Sequence, residues 1–69
     1  MEPLTIGETL RRLRKQALIR QDEMGIKAGV GKVTVSNVEC DRCDPRLSTL
    51  SKMAEALGYA MIVTFEKDG

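Results

Sequence analysis

Residues 21–40 read QDEMGIKAGVGKVTVSNVEC, and the second half of that stretch decides the fold. By propensity alone GKVTVSNVEC (31–40) suits a strand, since Val33, Thr34, Val35 and Val38 are all β-branched. The same residues also fit a helix, because Val35 and Val38 stand three apart, with Val30 before them, on one apolar face. The preceding residues settle the choice. Gln21 opens a short helix with Asp22 and Glu23 in its first turn, where carboxylates meet the positive end of the helix dipole. Gly29 is a natural stop, because glycine takes the left-handed conformation without steric cost. Gly25 lies inside that helix at a cost of up to about 1 kcal/mol relative to alanine, so a second backbone is expected to cross it closely. A small residue in mid-helix, a turn glycine four residues later and apolar anchors beyond it are the requirements of a helix-turn-helix. Gly25, Gly29, Val35 and Val38 meet them, with Met24, Ala28 and Val30 filling the junction. Residues 31–40 are therefore expected to be a helix.

Two further helices flank this unit. In TIGETLRRLRKQAL (5–18), Thr5 and Glu8 have capping-box spacing, and Ile6, Leu10, Leu13 and Ala17 form one apolar stripe. In RLSTLSKMAEALG (46–58), Leu47, Leu50, Met53, Ala54 and Leu57 make the stripe and Gly58 closes it. DRCDPR (41–46) is a loop ended by Pro45. YAMIVTFE (59–66) changes character, an unbroken β-branched and aromatic run of strand length, followed by a polar tail of Lys67, Asp68 and Gly69.

The chain has 69 residues, one small domain at most. Chains of this size bury only about 60% of their unfolded surface and need unusually good packing, a disulfide framework, a metal or a partner subunit. Two cysteines and no histidine argue against a disulfide framework and against a metal site within one chain. The Cys40-x-x-Cys43 pair lies in a polar turn without the βαβ frame of a thiol redox motif, and is read as incidental. GIKAGVGKVT (25–34) superficially matches a phosphate-binding loop. However, Ile26 stands where that motif needs glycine, and Val33 where it needs serine or threonine. No cofactor is expected, and with no plausible base–nucleophile pair no enzyme is expected. No apolar run approaches the length of a membrane span and Met1-Glu2-Pro3 does not begin a signal peptide, so no membrane partner and a cytoplasmic location are expected. The net charge of +1 conceals a division. Positions 11–46 carry nine basic against five acidic residues, a net +4, while the flanks carry two against five, a net −3. A basic centre suits a face that binds phosphates.

From LRRLRKQ through Q…G…AGV…VTVSNVE to DPRLSTLSKMAEALG, about residues 6–58, the chain resembles the lambda-repressor/Cro-type (XRE-type) helix-turn-helix family. Two departures stand out: Gly25 replaces the usual alanine, and Cys40-Asp41 replaces the common Asn-Gly. The resemblance implies that 31–40 is a recognition helix lying in the DNA major groove. Lys32, Val33, Ser36 and Asn37 would face the bases, with Cys40 at the edge, while Val35 and Val38 face inward. Asparagine can pair bidentately with adenine, lysine can contact guanine, and valine can touch a thymine methyl. Gln21 and Thr34 would hold backbone phosphates, with Arg42 and Arg46 adding charge beyond the helix. An arginine of the first helix pairs with the glutamate of the second in this family, which matches Arg14 with Glu39.

The tail needs a separate account, because a lone strand cannot satisfy its backbone groups in an otherwise helical domain. Pairing with the same strand of a second subunit solves this. Met61, Val63 and Phe65 would share one face, Ile62 and Thr64 the other. A short packed fifth helix is the alternative. The expected fold class is thus all-α, a compact four- to five-helix bundle with a C-terminal strand pairing across a dimer. Residues 1–58 would form the DNA-binding domain and 59–69 the dimerising strand and tail. Two recognition helices about 34 Å apart would read a palindromic operator on double-stranded DNA. The resemblance implies a transcriptional regulator of the repressor kind, acting as a homodimer. The alternative is an antitoxin that binds a toxin protein and regulates its own operon, since some antitoxin repressors of the family end in a similar strand.

Overall fold

The computed structural model describes residues 4–67; Met1-Glu2-Pro3, read above as no signal peptide, and the tail residues Asp68 and Gly69 lie outside them. Four helices follow in order: α1 (Ile6–Gln16), α2 (Gln21–Ala28), α3 (Lys32–Glu39) and α4 (Leu47–Ala56). The valine-rich stretch after Gly31 is helical. Its β propensity yields to burial, because Val35 and Val38 enter the core only if the segment is a helix.

Helix α2 packs on α3 and α4, and α1 packs on α3. The core consists of Leu10, Met24, Ala28, Val35, Val38, Leu50, Met53 and Ala54, with Ile19, Val30, Ala56, Leu57 and Met61 packed around it. It contains no aromatic ring. Two methionines and a valine are its fully buried large side chains, and flexible thioethers fill the irregular space between short helices.

The apolar stripe of α1 is rotated from its expected position. On α1, Ile6 and Ala17 are exposed, whereas Gly7, Leu10 and Arg14 are buried. On α4 the expected stripe faces the core, with Leu50, Met53 and Ala54 buried and Leu57 packed against them, and only Leu47 at the first position exposed. The cause on α1 is close approach. A Cβ on Gly7 would overlap the Val38 carbonyl oxygen and stand 2.8 Å from Asp41 Oδ1, so α3 crosses α1 at that glycine. Gly25 has the crossing expected of it, since a Cβ there would lie 3.0 Å from both Gly31 C and Lys32 N.

All four helices end in the same hydrogen-bonded turn. One or two residues past each helix cap, an N–H donates five residues back: Ile19 to Arg14, Val30 to Gly25, Arg42 to Asn37 and Tyr59 to Ala54. The residue just before each donor takes positive φ. In α2 and α4 it is Gly29 (70°) and Gly58 (84°), while in α1 and α3 it is Leu18 (58°) and Asp41 (56°).

Among the described residues the expected C-terminal strand is not present, nor is a fifth helix. Residues 59–67 take neither form. Beyond Tyr59 the backbone has no neighbouring strand with which to form a ladder. No helix among the described residues is long and apolar enough to cross a membrane.

Candidate nucleic-acid interface

Helix α3 has two contrasting faces. Val35, Val38 and Glu39 are buried, while Lys32, Val33 and Thr34 are exposed and Ser36 and Asn37 half-exposed. Val33 is 72% exposed, a position at which an isolated monomer gains nothing from a valine. Gly31 precedes the helix and contributes no side-chain cap.

The orientation of α3 is fixed by a buried ion pair. Arg14 Nε donates to Glu39 Oε2 at 2.7 Å and Nη2 to Oε1 at 3.0 Å, while Nη1 donates to the Ile19 carbonyl at 2.8 Å. The Glu39 side chain has no exposed surface and that of Arg14 only 10%, so neither charge is offset by water. The two-pronged geometry matches the planar guanidinium to the carboxylate. Arg14 and Glu39 therefore join the end of α1 to the end of α3. Gln21 also belongs to this network, since its Nε2 donates to Glu39 Oε1 at 3.2 Å. The amide assigned above to a phosphate is thus anchored from behind, at the first position of α2.

Two other residues assigned to DNA from sequence meet each other: Arg42 Nη2 donates to Ser36 Oγ at 3.2 Å. Arg42 follows the α3 turn, and Arg46 stands exposed at the N-cap of α4. Cys40 and Cys43 are both exposed free thiols. Among the described residues no group of three or more candidate ligands could hold a metal ion.

Sequence reasoning missed a basic depression at the start of α2. Arg11, Arg14, Arg20, Gln21, Asp22 and Lys32 line it, which brings cations from three elements to one helix N-terminus. Arg20 is partly engaged there. Its Nε donates to Asp22 Oδ1 at 3.1 Å and lies 3.5 Å from Glu23. The hydrogen bond to Asp22 raises the Arg20 pKa and, reciprocally, holds the Asp22 carboxyl below its ordinary value. Nothing local signals this depression, because Arg11 and Arg14 on α1, Arg20 before α2 and Lys32 on α3 converge only through tertiary structure.

Comparison with known proteins places this geometry. A model of the helix-turn-helix domain matches residues 5–60. The immunity repressor protein of Bacillus phage phi105 is 34% identical over 55 residues, covering 80% of this chain and 38% of the relative. Antitoxin HigA1 of Mycobacterium tuberculosis is 37% identical over 65 residues, covering 94% of this chain and 44% of its own length. The chain thus spans less than half the length of either curated relative. Among solved structures, the P22 c2 repressor protein in complex with a synthetic operator superposes with a TM-score of 0.77 at 31% identity, covering 84% of this chain and 88% of the other.

Proposed function

Because the chain belongs to the helix-turn-helix domain family, in its lambda-repressor/Cro-type branch, we propose that it is a sequence-specific DNA-binding transcriptional regulator of the repressor kind. The observation that carries this reading is the division of α3 into a clamped inner face and a free outer one. Val35, Val38 and Glu39 hold the helix, leaving Lys32, Val33, Ser36 and Asn37 outward at its base-reading positions. Gln21, Thr34, Arg42 and Arg46 are the proposed phosphate contacts, with Arg11 and Arg20 added from the basic depression. Residues 1–58 form the DNA-binding domain in this reading, and 59–69 join two copies, so that paired α3 helices read a palindrome. The likeness to a repressor solved on its operator supports the choice of double-stranded DNA as partner.

Selection from random duplexes at fixed salt tests the proposal. The expected result is an enriched palindrome with half-sites about one helical turn apart. In this reading Arg46→Ala weakens all sequences alike and reduces the salt slope by about one. Absence of any enriched sequence overturns it.

A second reading is favoured by the likeness to antitoxin HigA1, which extends over nearly the whole chain. In that reading the chain neutralises a toxin protein and regulates its own operon. Stable co-purification with a partner encoded beside it, lost on truncation of residues 59–69, would support the antitoxin role.

A further inference from the structure

Thr9 and Ser36 both carry a hydroxyl inside a helix, and they use it in opposite ways. Thr9 Oγ1 donates to the Thr5 carbonyl at 2.9 Å, four residues back, which commits its one hydrogen to the backbone. Ser36 accepts instead. Arg42 Nη2 donates to its Oγ at 3.2 Å, and no group among the described residues accepts from that hydroxyl. Ser36 is half-exposed on the outer side of α3, next to Asn37. The turn after α3 brings the guanidinium to it. Asp41 takes a φ of 56°, and its Oδ2 accepts from Thr5 Oγ1 at 2.9 Å. The Arg42 N–H then donates to the Asn37 carbonyl at 2.9 Å, which turns the chain back along the end of the helix. Cys40-Asp41, the departure from the common Asn-Gly, thus ties the helix end to α1 and sets the next residue beside Ser36.

Resting on the DNA-binding reading above, we infer that Arg42 is a positioning residue for base recognition: it engages Ser36 Oγ from behind, so that the serine hydroxyl donates into the major groove. A guanidinium accepts no hydrogen bond, so the serine hydrogen turns away from it. Accepting from a cation also polarises the hydroxyl, which makes it a stronger donor and a weaker acceptor. The same charge disfavours a second donor alongside. Ser36 therefore reads an acceptor on the base that it meets: guanine N7 or O6, adenine N7 or thymine O4. Cytosine presents only its N4 amino donor in that groove and is selected against. A serine without the arginine has no such preference, since its hydroxyl rotates to give or to accept. The guanidinium has five N–H groups and uses one on Ser36, so Arg42 can contact a phosphate as well. Its charge and its positioning role are separable by their effects: the first acts on every sequence, the second on one base position.

The test compares the full chain with Ser36→Ala, Arg42→Ala, Arg42→Lys, the Ser36→Ala/Arg42→Ala double variant and Arg46→Ala. Each is put through selection from random duplexes, and its affinity is measured for the parent's operator and for every single-base variant of it, at one salt concentration. The parent should exclude cytosine at one symmetric pair of positions. Ser36→Ala and Arg42→Ala should each reduce that preference about tenfold, at the same pair. The double variant should lose no more there than either single one, because the two side chains act as a unit. Arg42→Lys keeps a cationic donor and should restore most of the preference, while Arg46→Ala should weaken binding without changing the base pattern. All variants should unfold near the parent's midpoint, since neither Ser36 nor Arg42 enters the core. An Arg42→Ala protein that is weaker on every sequence but keeps the parent's base pattern overturns the inference and leaves the DNA-binding reading intact. So does a change at a different pair of positions from that of Ser36→Ala. A parent that enriches no sequence overturns the DNA-binding reading itself, and the inference with it.

Discussion

Helices α2 and α4 end differently from α1 and α3, although the hydrogen bonds of the four turns are the same. In the first pair a glycine takes the left-handed position and the turn closes on backbone alone. In the second pair the position is held by Leu18 and Asp41, for which that conformation costs about 1–2 kcal/mol each. Side chains compensate at both. Arg14 Nη1 grips the carbonyl of Ile19, next to Leu18, and Thr5 Oγ1 donates to Asp41 Oδ2 at 2.9 Å. Arg14 is in turn fixed by Glu39, two residues before Asp41. The strained ends are thus those joined by the buried ion pair. The glycine-ended helices need no such tie.

The largest effect should come from cutting the tie. Glu39→Ala leaves Arg14 buried without its counter-charge and should lower stability by about 3–5 kcal/mol in denaturant unfolding. A loss under 1 kcal/mol would show the ends to be held by other contacts. Next, Gly29→Ala adds a methyl to open space, so its cost is conformational alone, about 1–2 kcal/mol by the same measurement. The converse change, Leu18→Gly, should raise stability by up to about 1 kcal/mol, because a 90% exposed leucine has little packing to lose. The smallest effect belongs to Asp41→Gly, where relief of strain is offset by the lost Thr5 hydrogen bond, worth about 1 kcal/mol. If Leu18→Gly and Asp41→Gly shift the midpoint equally, the Thr5 contact contributes nothing.

The same contrast explains what the sequence made legible. Gly29 and Gly58 announce their helix ends by residue type, and the helix-turn-helix follows from Gly25, Gly29, Val35 and Val38 at fixed spacing. Leu18 announces nothing, since a leucine at positive φ depends on contacts made by Arg14 and Ile19. Gly7 reads as an ordinary residue in a capped first turn. Its role comes from the Val38 carbonyl, 31 positions away in the chain, pressing against it. The α1 stripe was misplaced for the same reason: periodicity counts apolar side chains, whereas the buried face here includes a glycine and a paired arginine. At the proposed interface, the outward residues of α3 follow from helical geometry. The Gln21–Glu39 and Arg42–Ser36 contacts join separate elements and have no local signal. The tail shows the remaining case. Its strand propensity is local, but a strand needs a second one, and the described residues contain none.

In the proposed DNA-binding role, the outer face of α3 reads bases while its inner face only holds the helix. Affinities of the parent and of Asn37→Ala for the selected operator, and for each of its single-base variants at one salt concentration, test that most directly. Asn37→Ala should lose about 1–3 kcal/mol of discrimination at one symmetric pair of positions, keep its preference elsewhere, and unfold at the parent's midpoint. An Asn37→Ala protein that discriminates at every position as the parent does would contradict it.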